Sequence, residues 1–236
     1  MPTHKHRLDR FISLKTGIPK NDVRSLLAQK RVRVNNQIAD NVRLLIDRFT
    51  VVSLDGKCLQ NRKPLYLMMH KPTGVISATK DHQHRTVIDL LRESSEPTIT
   101  QDELEELHIV GRLDLNSSGL LLLTNDSAWS KRLMSPDQKV EKVYEVIVEH
   151  PISDECIEAF SLGMYFPFED ITTKPAKLER LSDTLARVTL TEGKYHQIKR
   201  MFGRFRNPVL GLHRVKIGNF ELGSDIKPGE SRILTR

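Results

Sequence analysis

The chain has 236 residues, 37 Lys or Arg against 30 Asp or Glu, a formal net charge of +7 and two cysteines. That length can bury a real core, in one large domain or in a small domain plus a medium one. Cys58 and Cys156 lie far apart without CxxC spacing, which argues against a disulfide framework or a zinc site and favours a reducing compartment. No apolar run approaches the roughly 18 residues that span a bilayer, and Met1-Pro2-Thr3-His4-Lys5 lacks the apolar core of a signal peptide. A soluble cytoplasmic protein with no membrane partner is expected. The charge is uneven: residues 1–64 hold 14 basic against 5 acidic side chains, and the remainder 23 against 25. A lopsided first quarter is the electrostatic footprint of a module that holds a polyanion.

In chain order, Arg7 to Lys15 reads as a short helix with Leu8, Phe11, Ile12 and Leu14 on one side and Arg7, Asp9 and Arg10 outside. Gly17-Ile18-Pro19 stops it. Asn21 or Asp22 can cap a second helix whose Val23, Leu26 and Leu27 face inward while Arg24, Lys30 and Arg31 stay wet. Val32 and Val34 then alternate with Arg31 and Arg33, and Asn35-Asn36 turns into the next short strand. Asp55-Gly56-Lys57 is a turn, and Gln60 to Pro64 a polar linker. These marks divide the chain into a domain over 1–60 and a second over 65–236.

The second domain opens with apparent strands at Tyr66 to Met69 and Val75 to Ser77 around a Lys71 to Gly74 turn. A loop over Asp81 to Arg85 follows, and its His82 and His84 have no ligand array around them. A helix at Val87 to Leu91 and an acidic segment from Asp102 to Leu107 lead to the strand His108 to Val110. There the loop Gly111-Arg112-Leu113-Asp114-Leu115-Asn116-Ser117-Ser118-Gly119 feeds the run Leu120 to Leu123, which reads as a buried strand. Ser127 can cap a helix through Trp129 that ends at Pro136. Further strands are expected at Lys142 to Glu149, Ala186 to Thr191 and Leu210 to Ile217. Helices are expected at Ser153 to Leu162, with Cys156, Ile157 and Phe160 inward, and at 194 to 205. Strands and helices mix without a regular unit, so the fold class is α+β with a mixed, largely antiparallel sheet.

By composition the Gly111 to Gly119 loop is an ordinary turn. In sequence, GRLDLNSSGLLLLTND at 111–126, KVYEV at 142–146 and EGKYHQIKRMF at 192–202 together resemble the pseudouridine synthases that modify ribosomal RNA, in the branch that includes the small-subunit enzyme. Residues 5–50 resemble the alpha-L motif, a small RNA-binding module of two helices and a hairpin. The first resemblance implies a reaction in which a uridine, flipped out or held in a loop, loses its base–sugar bond and regains it through carbon. It puts the family's invariant aspartate at Asp114, where an ionised carboxylate acts as nucleophile or base. Attack on the sugar, attack on the ring and removal of a sugar proton to give a glycal all remain open.

The same resemblance assigns Lys199 to keep that carboxylate charged in a closed pocket. Most of the superfamily has Arg there, and Lys fits the small-subunit branch. Tyr144 matches a tyrosine that stacks on uracil and helps move a proton; alone it reads as core. Arg112 matches a residue that fills the space left by the flipped base, and Ile198 an apolar wall. His196 reads as a structural histidine. Phosphate contacts are expected from Arg7, Arg24, Lys30, Arg31 and Arg33, and from Arg200, Arg204 and Arg206. No aromatic interleaves the basic residues of the first module, so it should not stack bases. No cofactor or metal is implied, because the reaction is redox-neutral. The expected partner is small-subunit ribosomal RNA, free or in an assembling particle, met by a monomer. Large-subunit RNA is the nearest alternative target, and a non-catalytic RNA-binding assembly factor of the same fold is the alternative in kind.

Overall fold

A computed structural model describes residues 5–235. Met1–His4, on which the reading of the N-terminus largely rests, and Arg236 lie outside them. The chain divides into two compact units, Met1–Pro64 and Leu65–Arg236.

In the first unit, helices α1 (Leu8–Thr16) and α2 (Lys20–Ala28) bury Leu8, Phe11 and Ile12 against Val23, Leu26 and Leu27. Two expectations fail here. Leu14 is 84% exposed and Asp9 is buried. At about 100° per residue Leu14 falls nearly opposite Ile12, whereas the Asp9 carboxylate is satisfied by the Arg7 guanidinium and by the backbone N–H of Arg10. Gly17 ends α1 in the left-handed region at φ 77°. Pro19, not Asn21 or Asp22, occupies the cap of α2, where its fixed φ needs no side-chain bond.

The hairpin is part of a larger sheet. Strands β1 (Val32–Val34), β2 (Gln37–Ile38), β3 (Val52–Leu54) and β4 (Lys57–Gln60) are all antiparallel in the order β2-β1-β3-β4. Asn35 and Asn36 at φ 48° and 66°, and Asp55 and Gly56 at 51° and 78°, make its two tight turns.

The second unit is built on a nine-stranded sheet. Its strands are β5 (Tyr66–Lys71), β6 (His108–Val110), β7 (Ser118–Thr124), β8 (Lys142–Val148), β9 (Lys177–Arg180), β10 (Leu185–Leu190), β11 (Val209–Ile217), the pair Phe220–Glu221, and β12 (Ser231–Ile233). The order is β9-β10-β8-β11-β7-β5-β12, with β6 paired to β7 and Phe220–Glu221 to β11. Every pairing is antiparallel except β11 with β7, which meet in parallel at His213–Ser118 and Arg214–Gly119. This is the α+β fold with a largely antiparallel sheet. Val75 to Ser77 is not a strand: β5 pairs with β7 and β12, and Ile76 makes only an isolated bridge to Thr86.

Both faces of the sheet are covered at β7, which explains its unbroken leucines. Leu121 and Leu123 enter one core with Phe160, Met201 and Phe202, while Leu120 and Leu122 enter another with Tyr66, Trp129 and Ile217. Each fully buried leucine contributes roughly 1.5–3 kcal/mol. Around the sheet lie α3 (Val87–Glu93), α4 (Gln101–Glu106), α5 (Ser127–Met134), α6 (Asp154–Leu162) and α7 (Gln197–Gly203). Asp126, one residue before the expected Ser127, caps α5 by accepting from Ala128 and Trp129 N–H. The expected helix over 194–205 is shorter, because His196 takes a left-handed backbone at φ 48° and the helix begins only after it.

Candidate active site

The Gly111 to Ser117 loop leaves β6 and re-enters the sheet at β7, the strand that joins the two antiparallel halves. Its backbone is held by groups from residues 71–77 and from β11. Ser77 Oγ accepts from Leu113 N–H at 3.0 Å and donates to Leu113 O at 2.7 Å. Gly74 N–H donates to Leu115 O at 2.9 Å. Lys71 Nζ donates to Ser117 O at 2.7 Å and to Pro72 O at 2.9 Å. Arg214 spans the two ends of the loop, with Nη2 2.5 Å from Gly111 O and Nε 2.8 Å from Leu120 O.

Lys71 and Arg214 are among the largest fully buried side chains. A buried charge is costly unless hydrogen-bonded, and here loop carbonyls do that work. Burial pushes the Lys71 ammonium down to about 8; the Asp114 carboxylate opposes that shift and the Arg214 guanidinium adds to it. Two glycines permit the close fit. A Cβ on Gly119, at φ +108°, would lie 2.2 Å from Arg214 O, and one on Gly111, at φ +74°, would lie 3.1 Å from Met134 Sδ.

Asp114 stands on this frame with its side chain 37% exposed, so the cleft is open to water rather than closed as expected. Lys199 Nζ, from α7, lies 3.7 Å from Asp114 Oδ2, and His196 Nε2 lies 3.3 Å from the same oxygen. The sequence expectation of a carboxylate faced by a distant ammonium thus meets a real juxtaposition. His196, read from the sequence as structural, is a partly exposed ring against the carboxylate. Gln197 fixes the turn that presents it, accepting from Lys194 N–H at 3.0 Å and donating to Glu192 Oε1 at 2.8 Å.

Tyr144 lies on β8, whose register with β11 shifts between Val143 and Tyr144, and such a bulge re-aims a side chain. Its hydroxyl is 3.5 Å from Arg214 Nη1, and the guanidinium sits 5.9 Å from its ring centroid. Ile198 is buried, and Arg112 is exposed on the loop two residues before Asp114. Arg204 and Arg206 are exposed, whereas Arg200 is tied to Glu169 at 2.6 Å and stacked on Phe166.

In the first unit Arg24, Lys30 and Arg33 are exposed, while Arg7 and Arg31 form ion pairs with Asp9 and Asp55. Lys71 and Arg214 were missed in the sequence because neither stands in a motif that marks burial. Among the described residues no cluster of three or more His, Cys, Asp or Glu could hold a metal ion, and no helix is long and apolar enough to cross a membrane.

The family model described as RNA pseudouridylate synthase matches residues 65–203, a span that holds the Asp114 loop, Tyr144 and Lys199. Ribosomal small subunit pseudouridine synthase A of Pseudomonas aeruginosa is 45% identical over 229 residues, covering 97% of this chain and 96% of that protein. The protein of the same name from Escherichia coli strain K12 is 39% identical over 230 residues, again covering 97% and 96%. A solved pseudouridylate synthase superposes with a TM-score of 0.67 at 34% identity, covering 97% of this chain and 96% of its own. A family match over more than half the chain, and relatives this similar along nearly all of it, establish that the chain belongs to the RNA pseudouridylate synthase family.

Proposed function

We propose that this chain isomerises one uridine of small-subunit (16S) ribosomal RNA to pseudouridine, with Asp114 as the catalytic carboxylate. The observation that carries the reading is the approach of Lys199 Nζ to Asp114 Oδ2 at 3.7 Å, both at motif positions the family resemblance assigns; His196 Nε2 faces the same oxygen at 3.3 Å without such an assignment. The small-subunit target follows from the names of relatives 45% and 39% identical over nearly the whole chain.

In the reaction the N1–C1′ bond of uridine breaks and C5–C1′ forms, C5 gives up its proton and N1 takes one. The Asp114 carboxylate engages the flipped nucleotide as nucleophile or base, and Lys199 keeps it ionised once the RNA excludes water. The cleft, open in the free chain, is closed in this reading by the substrate itself. Tyr144 stacks on the uracil and handles the C5 proton, its hydroxyl oriented by Arg214. Ile198 walls the base, and Arg112 fills the gap left in the RNA. The reading calls for no cofactor: all the groups it uses lie in one chain, working as a monomer in the cytoplasm.

The first unit, read as an alpha-L type module, holds RNA backbone through Arg24, Lys30 and Arg33. Arg7 and Arg31 join only by giving up their carboxylates. Arg200, Arg204 and Arg206 hold backbone near the site, Arg200 after releasing Glu169.

The test is to map pseudouridines in ribosomal RNA from cells with and without this protein. One small-subunit pseudouridine should vanish and return on complementation. Loss of a large-subunit pseudouridine instead, with small-subunit RNA unchanged, would overturn the target, and no loss anywhere would favour a non-catalytic assembly factor.

A further inference from the structure

Tyr195 is 77% exposed, an unusual place for an aromatic ring that the proposed chemistry does not use. It does not dangle: its ring is stacked on His196 with centroids 3.9 Å apart and planes 20° from parallel. His196 in turn has Nε2 3.3 Å from Asp114 Oδ2. The arrangement rests on the left-handed backbone at His196, φ 48° and ψ 31°, a conformation that is costly for a non-glycine residue and clusters at functional sites. The result is a column of two rings rising from the carboxylate, the inner one touching Asp114 and the outer one presenting a free face to solvent. The same stretch of sequence carries Lys194, Lys199 and Arg200, paired with Glu192, Asp114 and Glu169, and the exposed Arg204 and Arg206.

An exposed aromatic face among cations is how proteins hold single-stranded nucleic acid, the ring taking a base and the charges its phosphates. A uridine drawn to Asp114 leaves its neighbours in the strand without a stacking partner. From this we infer that Tyr195, backed by His196, is the platform on which a base directly flanking the target uridine stacks, so that it sets RNA affinity and sequence context without taking part in bond making. The inference rests on the function proposed above and adds a second nucleotide to the site.

Its test uses the full chain and a small-subunit RNA fragment containing the target uridine, under single-turnover conditions. Tyr195→Ala should raise the RNA concentration for half-maximal rate by about ten- to hundredfold, the range expected on removing one base stack, and change the rate at saturation far less. Tyr195→Phe, which keeps the ring, should recover most of the affinity. An abasic nucleotide placed immediately 5′ or 3′ of the uridine should reproduce the loss in the wild type at one of the two positions, and add little to Tyr195→Ala at that position. Unchanged affinity in Tyr195→Ala overturns the inference. So does an abasic penalty absent at both flanks in the wild type, or equal in the wild type and the variant. If the wild type leaves every uridine unmodified both in the fragment and in partly assembled small subunits from cells lacking the protein, the proposed function fails instead, and the two failures are told apart.

Discussion

In the unit Met1–Pro64 the side chains of Arg24, Lys30 and Arg33 stand in water, whereas in Leu65–Arg236 the Lys71 and Arg214 side chains are sealed inside. The first unit has the larger excess of positive charge, the second a slight excess of negative charge. Exposed cations on small helices and hairpins act together, through a field that salt screens and that any nearby polyanion feels. A buried cation acts on the few atoms it touches, and its loss leaves those atoms unsatisfied in a medium that cannot replace it. Net charge therefore points to the part of the chain that would grip RNA, but says nothing of the part that would transform it. There, a few buried cations are instead arranged around one loop, bonded to its carbonyls.

The comparison breaks first at Arg214. Replacing it with Met strips donors from Gly111 O and Leu120 O, two hydrogen bonds from a charged group, and should lower unfolding free energy by about 3–6 kcal/mol in urea titrations. Arg214→Lys should recover only part, because one ammonium lacks the fork that reaches both carbonyls. A loss below about 1 kcal/mol for Arg214→Met would mean that the buried guanidinium does not hold the loop.

Lys199→Met tests a half-exposed cation. At 3.7 Å from Asp114 its removal should slow isomerisation on the order of ten- to hundredfold, since a pair near a protein surface interacts by a few kcal/mol at most. Lys199→Arg, which keeps the charge, should lose less. Equal rates for wild type and Lys199→Met would remove the ammonium from the mechanism.

The smallest effect belongs to the exposed set. Arg24→Ala combined with Lys30→Ala should weaken RNA binding severalfold and flatten the dependence of log affinity on log salt by about 0.7–0.9 for each phosphate that is no longer neutralised. Arg31→Ala should do less, because Asp55 already occupies that guanidinium. An unchanged salt slope for the double variant would relieve the first unit of the gripping role.

How far the sequence disclosed this arrangement depended on the range of the interaction. Gly111 to Asp126 could be read as a polar loop entering a buried strand because apolar run and turn residues are local signals, and the four leucines are indeed buried on both faces of the sheet. The Asn35-Asn36 turn and the helix from Asp154 to Leu162 were legible for the same reason. Lys199 was brought beside Asp114 by motif resemblance; the long stretch of chain between them carries no periodicity that would join them. Arg214 was opaque because a charged residue in a strand looks like part of its solvated face, and Lys71 because it read as the start of a turn; only the loop carbonyls they meet make their burial tolerable. That His196 would face Asp114 was not legible, because a left-handed residue at the head of a helical pattern has no local mark. Leu14 and Asp9 show the reverse error, where a loose helical pattern was credited to the wrong side.

One experiment bears most directly on the central claim, that the charge on Asp114, and not merely the shape of its loop, converts the RNA. Asp114→Asn alters one atom and leaves every backbone bond to Ser77, Lys71 and Arg214 available. The purified variant should bind the small-subunit RNA fragment within about threefold of wild type while its single-turnover isomerisation falls by on the order of ten-thousandfold or more. Isomerisation within about tenfold of wild type, at equal RNA affinity, would contradict the account and move the catalyst elsewhere in the cleft.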